Sequence, residues 1–140
     1  MRHLLYYILA ASACLASCRP ATDPATAHQS AARRADEQQG GRWLAEARAA
    51  MGQRDWGAAR ARVDSIRLRT PLALDAREDA ILLLDSVELL SAQAELTHTD
   101  SLIQAGARSD SLTRLFELQM EQVKFYHRKL DYDRGNRKTH

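Results

Sequence analysis

The stretch A80-ILLLDSVELLSAQAE-L96 decides the fold. Ala80, Leu83, Val87, Leu90 and Ala94 recur at alternating spacings of three and four, the period of one helix face. Ile81, Leu82, Leu84 and Leu89 widen that face well beyond a single stripe, and a helix so broadly apolar is covered on two sides. Just upstream, Asp75 and Glu78 have the spacing of a capping box. The spacing predicts a helix over about 76–104, so the question becomes what covers each side.

Upstream, "RWLAEARAAMGQ" places Trp43, Ala47, Ala50 and Met51 on one face of a helix predicted over about 42–53. "RDWGAARARVDSIRLRT" places Trp56, Ala59, Val63 and Ile66 on one face of a second, over 56–69. Asp55 suits its N-cap, and Thr70-Pro71 ends it. So short a turn predicts an antiparallel pair. Downstream, "THTDSLIQAGARSDS" is polar, with Gly106 as a stop and Ser109 or Ser111 as a new N-cap. Leu112, Phe116, Gln119, Val123, Tyr126 and Leu130 then keep heptad-like spacing in a helix predicted over 110–132. Folding about Gly106 would set Ala94 near Phe116, Leu90 near Val123 and Leu83 near Tyr126, with a tip over 97–110. The expected class is all-α: a repeat-like helical hairpin packed on a longer antiparallel coiled-coil hairpin, together spanning 42–132. A basic tail, 133–140, is expected to be disordered.

Composition agrees. The chain has 140 residues, with 20 Lys and Arg against 18 Asp and Glu, which allows one small domain plus appendages. A formal charge of +2 argues against a nucleic-acid partner. Only 6 Gly and 3 Pro interrupt a composition of good helix formers. There is no Gly-rich phosphate loop and no Cys or His pair at metal spacing. His98 and Asp100 stand two apart, so on a helix they point away from each other. Ser65, Ser86 and Ser101 lack a nucleophile-elbow context. In "KFYHRK", Tyr126 is read as core-facing, and Lys124, Arg128 and Lys129 as a solvated face. No catalytic residue, cofactor site or metal site is expected.

The N-terminus reads "MRHLLYYILAASACLASC". Arg2 precedes an apolar run from Leu4 to Ala13, far short of the ~20 residues that cross a bilayer. Leu15-Ala16-Ser17-Cys18 resembles a bacterial lipobox. The resemblance implies a signal peptide over 1–17, cleavage after Ser17 and lipid on the Cys18 thiol. Cys14 would leave with the signal. Acyl chains then supply the anchor, at about 0.8 kcal/mol per buried methylene. Arg19, in place of an aspartate, implies the outer rather than the inner membrane. The segment 18–41 is expected to be a flexible tether, because Pro20 and Pro24 disfavour helix. "SAARRADEQQ" would add at most a short fraying helix before Gly40-Gly41 breaks it.

A second resemblance lies between Trp43 and Pro71. The tetratricopeptide repeat reads W-x2-L-G-x2-Y, A-x3-F, then P. Trp43, the pair Ala59-x3-Val63, and Pro71 match it in register. Glu46, Ala47 and Ala50 depart from it, and Arg54 stands where the turn usually has glycine. The likeness covers one repeat only and implies a contact groove, with Trp43, Trp56, Arg60 and Arg62 as partner-binding candidates. Together these readings point to a lipid-anchored, non-enzymatic scaffold or protein-interaction module of the bacterial cell envelope. It would meet the membrane through lipid on Cys18 and an envelope protein through its helices. The alternatives are a self-assembling, homo-oligomeric coiled-coil protein joined through the Ala80–Leu90 face, and an accessory subunit of an outer-membrane assembly machine.

Overall fold

The computed structural model describes residues 24–107 and 109–137, with side chains from Ser30 onward. The chain divides into two compact units, Met1–Ser30 and Ala31–His140. Of the first, only the helical backbone of 24–30 is described. Cys18 and its flanking motif, the predicted signal peptide and residues 138–140 lie outside the described residues. The second unit carries all the packing and contacts that follow.

The protein is all-α. Among the described residues there are four helices: α1, Pro24–Gly52; α2, Trp56–Arg69; α3, Leu74–Gln104; and α4, Asp110–Arg137. Two begin on side-chain caps expected from sequence. Asp55 Oδ1 accepts from the Ala58 amide at 2.9 Å, and Ser109 Oγ accepts from the Leu112 amide at 3.1 Å. Gly106 adopts φ +92° in the turn between α3 and α4, a backbone state in which a side chain is strained.

Helices α1 and α2 run antiparallel, with Arg62 Nε 2.8 Å from Glu46 Oε2. Their apolar faces meet the first half of α3 in a core of Leu44, Ala47, Val63, Ile66, Ala73, Ala76, Ala80 and Leu83. Alanines supply half of that core, so the backbones approach closely. Gly40 marks the closest approach. A Cβ built there would lie 2.6 Å from the Ala76 Cβ and 3.5 Å from that of Ala73.

This corrects the reading of 18–41 as a tether. From Pro24 onward the segment is helix. Pro24 takes the first position, where a missing N–H costs nothing, and the Ala, Arg, Glu and Gln that follow are strong helix formers. Gly40 does not break the helix; it lets α1 touch α3. The same stretch caps α3. The amides of Asp75 and Ala76 each donate to the Glu37 carboxylate at 3.0 Å, and the Leu72 amide donates to Asp36 Oδ2 at 3.0 Å. An anion at a helix start complements the helix dipole. The predicted Asp75 cap is therefore displaced: α3 begins at Leu74, its N-cap residue is Ala73, and the cap carboxylate comes from α1.

On its other side α3 packs along α4. The buried series Asp85, Leu89, Ala92 and Thr99, with half-buried Leu96 between the last two, has alternating spacings of four and three, offset from the Ala76–Ala80–Leu83–Val87 series that meets α1 and α2. Facing it, Leu112, Phe116, Val123, Tyr126 and Asp133 are half-buried, while Gln119 and Leu130 are buried. Two ion pairs fix the register, Lys129 with Asp85 and Arg137 with Asp79. This differs from the predicted register by about one helical turn, because the α4 seam runs through Asp85 rather than through Leu83, Leu90 and Ala94. Leu90 is exposed. The predicted disordered tail also shortens, since α4 continues to Arg137.

Candidate functional site

The four residues expected to form a contact groove do not converge. Trp43 and Trp56 are both half-buried, and Trp43 packs against the core of α1, α2 and α3. Arg60 and Arg62, two apart on α2, point to different neighbours. Arg60 donates to both oxygens of Glu88 on α3, at 2.6 and 2.9 Å, and that bond raises its pKa above the ordinary arginine value. Arg62 instead reaches Glu46 on α1. Each guanidinium is already committed to a carboxylate within the fold. His98 is exposed, and Asp100 accepts from the Gln104 amide at 2.6 Å. Among the described residues no group of three or more His, Cys, Asp or Glu is placed to hold a metal ion.

Arg60 borders only a small depression of about 110 Å³ with Glu88, Glu95 and Tyr126; two broader ones lie along the part of α3 that α2 and α4 leave open. Ile81 is 48% exposed there. On one side of it a depression of about 390 Å³ is lined by Glu78, Ile81, Leu82, Asp133, Asn136 and Arg137. On the other, a depression of about 340 Å³ runs towards α2, between Arg67, Arg77, Leu84, Asp85 and Lys129. Ile81 is the ridge between them. Apolar side chains from α3 form the floor and charged groups of both signs form the rim.

The rim is organised by one lysine. Lys129 Nζ donates to Asp85 Oδ1 and, at 2.9 Å, to Asp133 Oδ2. Burial pushes the Asp85 carboxyl above the usual range, and the Lys129 bond works against that push. Asp133, half-buried, is held below it chiefly by its bond to Lys129. The bond to Asp85 also raises Lys129. Asp85 Oδ2 is buried and has no hydrogen-bond partner, so the ammonium is the main compensation for a desolvated charge. Lys129 was expected on a solvated face. Its role follows instead from Asp85, whose position within an apolar run is the sequence signal: a carboxylate on a covered face needs a cation.

No family model, curated protein or solved structure matches the chain. The geometry of the cleft therefore has to be read on its own chemistry. The cations on its rim are largely matched by carboxylates of the same fold, Arg137 by Asp79 at 2.5 Å and Lys129 by Asp85 and Asp133. A polyanion finds little net attraction there. An apolar floor with a mixed-charge rim suits a protein segment that inserts apolar side chains and exchanges ion pairs at the edge.

Proposed function

We propose that this protein is a lipid-anchored, non-enzymatic interaction module of a bacterial cell envelope, which holds or positions another envelope protein through the cleft around Ile81. The cleft carries the reading: an exposed isoleucine stands between two depressions on a rigid helix, with apolar surface below and both charge signs around it. The anchor reading draws on Leu15-Ala16-Ser17-Cys18, and the outer membrane on Arg19. None of the helices among the described residues is long and apolar enough to cross a membrane. Lipid attachment would confine the cleft to a surface and raise its effective concentration for partners on that surface. The tetratricopeptide-like pattern from Trp43 to Pro71 is consistent with a binding role, carried out on α3 rather than by the tryptophans.

Two experiments test the two halves of the reading. Cys18→Ser is expected to move the protein out of the membrane fraction and to change its electrophoretic mobility; unchanged fractionation ends the anchor reading. A photocrosslinking amino acid at Glu78, on the cleft rim, is expected to capture one dominant envelope protein in intact cells, and Ile81→Asp is expected to abolish that adduct. An adduct that survives Ile81→Asp, or no adduct, removes the cleft as the docking site.

A further inference from the structure

Helix α4 carries a second apolar seam that stands largely exposed among the described residues. Its inward seam follows 112, 116, 119, 123, 126, 130 and 133, half-buried or buried throughout. One residue before each of these seven lie 111, 115, 118, 122, 125, 129 and 132, on the adjoining face. Leu115, Leu118, Phe125 and Tyr132 of that series are between 42% and 69% exposed. At ~150–250 Å² per aromatic side chain, Phe125 and Tyr132 alone leave roughly 200–300 Å² open, and the two leucines bring the stripe to a size that marks an interaction patch. Lys129 falls on the seam, but Asp85 and Asp133 draw its ammonium aside, leaving its methylene stem to line the stripe.

We infer that the occupant of this seam is a second copy of the chain, with the two α4 helices antiparallel across a two-fold axis. Charge selects both the partner and the register. Beside the seam, on the side away from α3, lie Arg114, Glu121, Arg128 and Gly135 at heptad spacing. Three antiparallel registers, one heptad apart, superpose the stripes. One sets Arg114 against Arg128 and Glu121 against its own copy. Another sets Arg128 against its own copy. The third sets Glu121, whose Oε1 also accepts from the exposed Lys124 Nζ at 2.7 Å, against Arg128 twice, once on each side of the axis, and only it pairs opposite charges. In that register Leu115 faces Tyr132, Leu118 faces the stem of Lys129, and Gln122 faces Phe125. The α3–α4 hairpins of the two copies then form a four-helix arrangement, a symmetric solution typical of homodimers. The seam is smaller than the ~800 Å² per partner of a standard interface, so the dimer is a dissociable one. This inference does not depend on the lipid anchor or on the Ile81 cleft.

The test is sedimentation equilibrium of the full chain in a density-matched mild detergent, under reducing conditions, over a wide concentration range. A monomer–dimer equilibrium is expected. Leu118→Glu is expected to weaken it by roughly ten-fold or more. Glu121→Arg and Arg128→Glu are each expected to weaken it roughly three- to ten-fold, and the double reversal Glu121→Arg/Arg128→Glu to restore it. All three positions are exposed, so unchanged helicity by circular dichroism is the folding control. A monomer at every concentration overturns the inference. So does a dimer indifferent to Leu118→Glu, or a double variant no tighter than the singles.

Discussion

The two sides of α3 are held by different forces. Against α1 and α2 it presents Ala76, Ala80, Leu83 and Val87, all buried, and meets Ala47, Val63, Ile66 and the bare backbone of Gly40. The centre of that side is set by shape, with the Arg60–Glu88 pair and the Glu37 cap at its margins. Against α4 it presents Asp85, Leu89, Ala92 and Thr99, and its register is set by Lys129 and by the Asp79–Arg137 pair at 2.5 Å. That side is set by charge, and Gln119 Oε1 on α4 is buried with no hydrogen-bond partner. Shape is unforgiving of added volume and indifferent to pH. Charge is tolerant of volume and sensitive to pH. The difference assigns the first half of the fold to stability and leaves the α3–α4 side as the part that conditions can adjust.

The largest effect expected is at the shape-set side. Gly40→Leu drives side-chain atoms into Ala76, whose Cβ already lies 2.6 Å from where a Cβ at 40 would stand. Overpacking of this kind costs about 3 kcal/mol, read as a lower urea midpoint with an unchanged slope. Its neighbour supplies the control. A Cβ at Gly41 meets nothing within 4 Å, so Gly41→Ala removes only the helix penalty of glycine and stabilises by about 0.5–1 kcal/mol. Opposite signs at adjacent glycines distinguish a close helix approach from a helix break. Equal, mild effects at both would mean that α1 does not touch α3 at Gly40.

The charge-set side breaks in a different way. Lys129→Met leaves the buried Asp85 carboxylate without its cation. Removing one partner of a fully buried pair costs about 3–5 kcal/mol, but the Lys129 side chain is 42% exposed, so water shares the work and about 2 kcal/mol is expected at neutral pH. The pH dependence identifies the cause. Burial raises the folded Asp85 pKa, and loss of the ammonium raises it further. A carboxyl raised on folding binds more protons folded than unfolded, so stability falls as pH rises from the unfolded value through the folded one. The deficit of Lys129→Met is therefore expected to be full at neutral pH and to shrink as pH falls towards ~4, the unperturbed carboxyl range. Asp133 adds the opposite, smaller trend in the wild type: its pKa is lowered by Lys129, so its contribution is present above the unfolded value and lost as pH falls through the folded one. Paired urea curves across pH read both. A deficit independent of pH would mean that Lys129 acts through packing alone.

This contrast also explains what the sequence discloses. Where neighbours in sequence are neighbours in space, periodicity suffices: Ala59, Val63 and Ile66 are buried on α2 as spaced, Asp55 caps, and Gly106 turns the hairpin. Where a residue's meaning depends on a distant partner, local rules mislead. Gly40 reads as a breaker until Ala76 is beside it. Asp75 and Glu78 read as a capping box until Glu37 occupies the amides. The α3–α4 register slips by a turn until Lys129 on α4 meets Asp85. The cleft was half legible. Ile81 stood out for widening the apolar face, but whether a wide face is covered depends on where α2 stops and α4 begins. Arg60 and Arg62 carried a signal that could have separated them, since residues two apart on a helix do not share a face.

The smallest effect expected sharpens the shape-set side at its edge. Arg54, in the turn between α1 and α2, has φ 59°, the left-handed region that favours glycine and costs other residues roughly 1–2 kcal/mol. The turn still closes tightly, with the amide of Arg54 donating to Met51 O at 3.0 Å and that of Asp55 to Ala50 O at 2.9 Å. The Arg54 side chain is exposed, so little packing is lost with it. Arg54→Gly relieves the strained backbone but adds freedom to the unfolded chain, and the two nearly offset. The net expectation is a gain of up to about 1 kcal/mol, read as a small rise in the urea midpoint, whereas Arg54→Ala, which keeps the Cβ, is expected to leave the midpoint in place. If glycine lowers stability while alanine does not, the left-handed turn is not strained, and the α1–α2 pair is held by its core rather than limited by its connection.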